Sequence, residues 1–307
     1  MISEQYFSTE RSGESQLYVE IGINNALAHI AENFEHSSKG LENLPFHNTD
    51  HTRQVMRRTQ LILSTISSAD PTLVSSQDML LGQLAAAFHD SEQKWKNKKV
   101  KTGNQDTLIR ERYGVGNEVI SCANAVNYMV HVNETEGKDI FSKDDIETVV
   151  EAILVTIPVF DLRHQTVAQP NLSNRTSLVA RAVALADLGS AGLDGLEMVK
   201  EDSKKLFREE NLDITIRLSE DIPLTKDEES FYKDRYLKWV STQYPFAKGR
   251  KDLLTTELDG IPQHVLPYVE RLFNKFDETL AGLENITASY AALEPKELLV
   301  EVGYHLQ

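Results

Sequence analysis

Sulfur, basic charge and long apolar runs are all scarce in this chain. Among 307 residues there is one cysteine, Cys122, so no disulfide can form within the chain and a reducing, cytoplasmic setting is the expectation. Lysine and arginine together number 32 against 47 aspartates and glutamates, a formal net charge of −15. So acidic a protein lacks the broad basic face with which nucleic-acid and membrane-surface binders meet phosphates, and neither partner is expected. No apolar run approaches the ~20 residues that cross a bilayer. The first ten residues lack the basic-then-apolar order of a secretory signal. A Walker-type glycine-rich loop and a Gly-x-Ser-x-Gly elbow are both missing, which removes two common routes to phosphate and acyl chemistry.

What is present reads as helix. With 40% apolar and 26% charged residues, the chain has the composition of an ordinary globular protein and enough length for a substantial core. Residues 1–12 are polar and expected to fray. Ser15 to Phe34 alternates at first (Leu17, Val19, Ile21, Ile23), as a strand would, then takes helical spacing (Ile23, Ala26, Leu27, Ile30); we read it all as helix. A loop from His36 to Pro45, with Gly40, precedes a helix capped by Asn48 or Thr49 and running to about Ile66. Beyond Asp70-Pro71, Ser75 or Ser76 caps a helix that is apolar nearly all round (Met79, Leu80, Leu81, Leu84, Phe88) and therefore central. A lysine-rich loop follows (Lys94, Lys96, Lys98, Lys99, Lys101), then helical patterns near 104–113, 116–135 and 143–157, an irregular loop at 159–173, and an apolar helix from Asn174 to Ala191. Charged amphipathic helices are expected at 196–210, 227–243 and 263–284, with loops at 211–225 and 245–262. The fold class is all-α, organised as an N-terminal helix (1–40), a core (41–195) and a C-terminal helical extension packed on it (196–307).

Four side chains stand out. His51 closes a His47-Asn48-Thr49-Asp50-His51 element, His89-Asp90 ends the apolar third helix, and Asp187 lies inside another apolar run. A carboxylate in such a run is costly unless paired, hydrogen-bonded or bound to a cation. Asp187 either pairs with an arginine such as Arg181 or joins His51, His89 and Asp90 around a divalent ion. Imidazole with carboxylate suits Zn, Fe or Mn, while carboxylates with water suit Mg or Mn. Such an ion activates water and polarises phosphoryl oxygens, which points to metal-assisted hydrolysis.

His51, His89-Asp90 and Asp187 resemble the H…HD…D signature of the HD-domain superfamily of metal-dependent phosphohydrolases. The resemblance spans about residues 41–195, and the intervals of 38 and 97 residues between its elements fit that family. It implies an HD-type helical bundle, one or two divalent ions (Mn, Mg, Fe or Zn) held by His51, His89, Asp90 and Asp187, and a small phosphorylated substrate, a nucleotide or related phosphomono- or diester. The His47-Asn48-x-x-His51 element is further similar to cyclic-nucleotide phosphodiesterases, in which the first histidine protonates the leaving group. That likeness makes His47 the candidate general acid and counts it with Asp90 as catalytic. After Asp90 the chain reads Ser91-Glu92-Gln93-Lys94-Trp95, not the aspartate-histidine-proline-glycine run of those enzymes, so cyclic-nucleotide specificity is not implied. The rival function is a non-catalytic regulatory protein that keeps the fold and binds a metal or other ligand.

Other residues have weaker claims. Glu92 and His131 are candidates for orienting a ligand or holding a second ion, each with a plain solvated or packing alternative. His164, near Asp161 and Arg163, is a candidate for the mouth of the site. The five lysines and the Lys248, Arg250, Lys251 group either draw in a phosphate or are simply solvated. Cys122 has no basic neighbour and reads as packed, not nucleophilic.

Overall fold

Short polar side chains set the starts of the central helices. The computed structural model describes residues 2–36, 43–102, 105–113, 115–220 and 222–305. The first helix, α1 (Ile2–Ile30), closes with a π-helical turn (Ala31–Glu35) and includes both the polar stretch expected to fray and the alternating segment at 17–23. Most of the expected 36–45 loop, Gly40 included, lies outside the described residues. Asn48 caps α2 (Thr49–Ala69) by accepting from the backbone N–H groups of Asp50 and His51. Ser75 and Asp78 form a reciprocal capping box at α3 (Ser76–Phe88).

Here the all-helical expectation needs correcting. The lysine-rich loop and the helix expected at 104–113 are the two strands of an antiparallel hairpin, β1 (Trp95–Thr102) and β2 (Gln105–Arg112). Thr102 pairs with Gln105; the intervening Gly103-Asn104, the kind of dipeptide that favours two-residue hairpin connections, lies outside the described residues. Trp95 is covered by the Arg110 guanidinium, 4.8 Å from its ring centre. After α4 (Val115–Glu136) and α5 (Lys143–Leu154), the expected irregular loop contains a second small hairpin, β3 (Val159–Asp161) and β4 (Thr166–Ala168). The fold is thus predominantly helical with two hairpins.

The apolar run ending at Asp187 forms α6 (Leu178–Asp187), shorter than expected because Ser177 caps it, and a turn of helix α7 (Ser190–Leu193) follows. Then come α8 (Leu196–Glu210), α9 (Leu212–Ser219), α10 (Lys226–Val240) and α11 (Gln243–Glu257). Two of these replace the loops expected at 211–225 and 245–262. The expected 263–284 helix is split into α12 (Leu266–Leu272) and α13 (Phe276–Glu284), and α14 (Ile286–Ala291) and α15 (Pro295–Glu301) end the chain's described helices.

Helices α2, α3 and α6 sit at the centre. The α6 run Val179–Ala186 is buried throughout. Its Ala182, Leu185 and Ala186 join α2 and the C-terminal helices in one core, whereas Val179, Ala180, Val183 and Ala184 join α1, α3, α4 and α5 in another. A side chain at Gly82 on α3 would stand 2.6 Å from Leu63 Cδ1 of α2, so glycine lets the two helices approach without displacing that leucine. That close packing fixes the ends of the three helices relative to one another, and the ends carry the histidines and aspartates. No helix among the described residues is long and apolar enough to cross a membrane.

Candidate metal centre

The N-terminal turn of α2 delivers His51, the C-terminal end of α3 delivers His89 and Asp90, and the last residue of α6 is Asp187. One donor atom from each lies within 4.8 Å of all the others. His51 Nε2 stands 3.5 Å from Asp90 Oδ2 and 3.6 Å from Asp187 Oδ1. His89 Nε2 stands 3.4 Å and 3.5 Å from the same two oxygens. Neither Nε2 has a hydrogen-bond partner, although both are buried. An unpaired buried polar atom is costly, and two facing a pair of carboxylates form a gap that a cation fills. Metal–ligand bonds of about 2.1 Å set donors roughly 3–4 Å apart, so the spacing fits. This buried His–His–Asp–Asp group could hold a metal ion.

Three of the four side chains are aimed by a second contact. His89 Nδ1 is 2.7 Å from the Ala86 carbonyl oxygen; an N–H donated there leaves Nε2 as the free lone pair. Gln93 donates to Asp90 Oδ1 at 2.9 Å, and Gln169 donates to Asp187 Oδ2 at 3.2 Å, so each carboxylate keeps its other oxygen for the cluster. Burial opposes charge on the rings, but Asp187 and Asp90 outweigh it and hold both imidazoles above their ordinary range. The same pairing overcomes burial at Asp90 and Asp187 and holds both carboxyls below theirs.

His47 lines the same cavity, of about 300 Å³, together with His51, Asp90, Arg112, Glu118 and Asp187. Its Nδ1 pairs with Glu209 Oε1 at the end of α8, and Glu209 Oε2 accepts from the backbone N–H of Phe46 at 2.9 Å and of His47 at 3.1 Å. Burial would raise the Glu209 carboxyl, yet His47 and these bonds hold it below its usual value. Glu118 on α4 is buried too. Its carboxyl is pushed up to about 7 by burial and by the charge of Asp90, against the pull of Arg112. Arg112, the last residue of β2, stands between them, with Nη2 3.6 Å from Asp90 Oδ1 and 3.5 Å from Glu118 Oε1. Its Nε and Nη2 are buried without a hydrogen-bond acceptor.

Not every sequence candidate comes to the site. His131 is exposed on α4, away from the four-residue group. Glu92 is half-buried beyond α3 and lines neither cavity at the metal cluster; its backbone N–H donates to Ser121. His164 pairs with Asp161 at 2.6 Å in the turn of the second hairpin, outside both cavities. Arg181 donates to the carbonyls of Glu257 and Ser173, so it is not the partner of Asp187. The five lysines are exposed on or beside β1, with Lys98 paired to Glu111 and Lys96 over the Tyr113 ring. Lys248 and Lys251 bind Asp252 and Asp277 on the surface. Arg250 is structural: it donates to Glu257 and to the Val167 carbonyl, pinning β4 on α11 where Gly249 leaves 2.1 Å between a would-be Cβ and the His164 carbonyl oxygen. Cys122 is buried, which pushes its thiol up and away from reactivity.

The site residues that sequence reading missed are Glu209, Arg112 and Glu118. Glu118 left a signal, since it continues the buried spacing of Cys122, Ala125 and Met129 along α4. Glu209 and Arg112 left none, being charged residues in charged segments. No family model matches the chain, and neither a curated protein nor a solved structure resembles it at a significant level.

Proposed function

We propose that this chain is a metal-dependent phosphohydrolase of HD type, acting on a small phosphate mono- or diester. One observation carries the reading: two buried, unpaired imidazole nitrogens face two carboxylate oxygens at the floor of a cavity that also holds a histidine, an arginine and a glutamate. A divalent ion bound by His51, His89, Asp90 and Asp187 would supply Lewis-acid polarisation of a phosphoryl oxygen and would acidify water. Mixed nitrogen and oxygen donors favour Mn, Fe or Zn over Mg.

The remaining groups divide the other tasks. Arg112 Nε has no hydrogen-bond acceptor and Nη2 has only the longer ion pairs to Asp90 and Glu118, a donor pair suited to two phosphoryl oxygens. Water attacks phosphorus, a new P–O bond forms, and the ester P–O bond breaks. Glu118, with its carboxyl near 7, is matched to take the proton of the attacking water. With Nδ1–H hydrogen-bonded to Glu209, the doubly protonated His47 ring carries at Nε2 the proton that it gives to the departing alcohol.

The test is direct. Full-length protein incubated with Mn should retain the metal stoichiometrically by elemental analysis and hydrolyse bis(4-nitrophenyl) phosphate or 4-nitrophenyl phosphate. Asp90→Ala should abolish both. A metal-loaded protein that keeps its full rate after Asp90→Ala would show that these residues are not the site.

A further inference from the structure

Beside the metal pocket lies a second cavity, of about 330 Å³, which shares Phe46, His51, Val167, Asp187 and Glu210 with it. The two are therefore continuous, and a phosphoryl group at the metal places the rest of its molecule in the neighbour. Resting on the phosphohydrolase reading, we propose that this second cavity seats the alcohol part of the substrate, and that this part is an apolar group bearing an ammonium-type cation.

Three features of the walls argue for it. The first is aromatic. Phe46, Phe160, Trp239 and Phe246 line the space. The indole N–H of Trp239 is committed to Ser203, at 3.1 Å from its carbonyl oxygen and 2.9 Å from its hydroxyl, so a ligand meets the ring and not its donor. Aromatic faces grouped in this way attract organic cations.

The second feature is charge. Asp202 and Glu210 line the cavity, and no lysine or arginine does. The metal pocket differs by having Arg112. A second phosphate in the aromatic cavity would be desolvated beside two carboxyls, with the nearest cations, Arg58 and Lys205 toward Asp202 and Arg112 toward Glu210, outside its lining, which is unfavourable. A cation in the same place gains both aromatic and carboxylate contacts. Burial holds the Asp202 and Glu210 carboxyls above their usual range, an unfavourable state that a bound cation relieves.

The third is the rim. Phe160 is 56% exposed on the β3–β4 hairpin and Leu162, at its tip, 83%. Exposed Phe160, which lines the cavity, and Leu162 two residues on favour entry of an apolar group over a heavily hydrated one. At about 30 Å³ per water, the cavity has room for roughly ten waters, enough for a compact organic head group.

Trp95 and Trp239 are the only tryptophans, so full-length Trp95→Phe protein leaves Trp239 as the reporter. It is titrated, loaded with Mn, with three probes of one shape: choline, the neutral 3,3-dimethylbutan-1-ol and the anionic 3,3-dimethylbutanoate. Choline should change the Trp239 emission with a Kd at least roughly tenfold below that of the neutral alcohol, and the anion should not bind. The double variant Asp202→Asn, Glu210→Gln should lose most of that preference while still binding both uncharged and cationic probes. Equal binding of choline and the neutral alcohol, tighter binding of the anion, no response to any probe, or a preference that survives the double variant would each overturn the inference. No step of this titration requires turnover. Cation selection without ester hydrolysis would remove the hydrolase reading alone, and hydrolysis without cation selection would remove the cavity assignment alone.

Discussion

The floor and the walls of the site are built in opposite ways. The floor is the meeting point of α2, α3 and α6, helices buried among alanine, valine and leucine, where His89, Asp90 and Asp187 are each held by a hydrogen bond that leaves one atom for the cluster. The walls come from the two hairpins, α4, α8 and α11, and they carry the half-satisfied groups Arg112 and Glu118. A close-packed floor resists displacement because its volume cannot change cheaply. Walls brought from distant parts of the chain vary without disturbing the ligands. Metal binding should therefore depend on the floor, and rate and selectivity on the walls.

The sharpest way to break this division is through a floor histidine. His51→Ala removes one of four donors and leaves two carboxylates facing a single imidazole. We expect bound Mn to fall below stoichiometry and turnover to drop by about 10³-fold or more, the equivalent of some 4 kcal/mol of lost transition-state stabilisation. Retained stoichiometric metal would end the distinction. On the wall, His47→Ala should lower kcat by ~10²–10⁴-fold with metal content unchanged, since it deletes a proton donor and not a ligand. Metal loss in that variant would place His47 in the floor. A smaller effect is expected from Arg112→Met. Loss of its guanidinium should raise KM about tenfold, as one charge-assisted hydrogen bond contributes about 1.5–3 kcal/mol, and leave metal binding intact. A change in kcat alone would assign the guanidinium to the transition state instead of to substrate binding.

The same division explains what could be read in the sequence. His89, Asp90 and Asp187 were legible because each is a polar residue at the edge of an apolar helical run, where burial makes it conspicuous, and His51 through its spacing from His47 and its place in the H…HD…D pattern. Capping by Asn48 and Ser75 was equally local. The first hairpin was not read, because β1 is held by its pairing with β2 and by Arg110 over Trp95, not by an apolar alternation of its own. Alternating lysines look like a solvated loop until the partner strand is known. The α9 and α11 segments were taken for loops for a related reason. Buried residues of α11 such as Gly249, Arg250 and Glu257 are not apolar, so the periodicity that marks a helix is blurred. Glu209 could not have been found at all, as its role exists only where the end of α8 meets Phe46 and His47, more than 160 positions earlier.

The periphery supplies the control. Glu228 is the third residue of α10, closes a capping box with Thr225, and accepts from Arg217 Nε at 2.7 Å and Nη2 at 3.1 Å. Arg217 also donates to the carbonyls of Ile222 and Pro223, so this clamp closes the loop between α9 and α10. The Arg217 bond, with those from Thr225, holds the Glu228 carboxyl down at about 2, against an ordinary value of 4.5. A depressed carboxyl stabilises the fold above its unfolded-state pKa, and that contribution disappears as pH falls through the folded-state value. Because the pair is near the surface, its contribution is about 1 kcal/mol or less. Glu228→Gln should therefore destabilise the protein by about that much in denaturant unfolding at pH 7. The gap from the unsubstituted protein should narrow steadily as pH is lowered from about 5 toward 2, the window set by the two protonation equilibria. Metal content and turnover should not move, for Glu228 belongs to neither floor nor walls. A gap that widens on acidification would reverse the sign of this linkage and show that the ionised carboxylate is not what holds the α9–α10 loop closed.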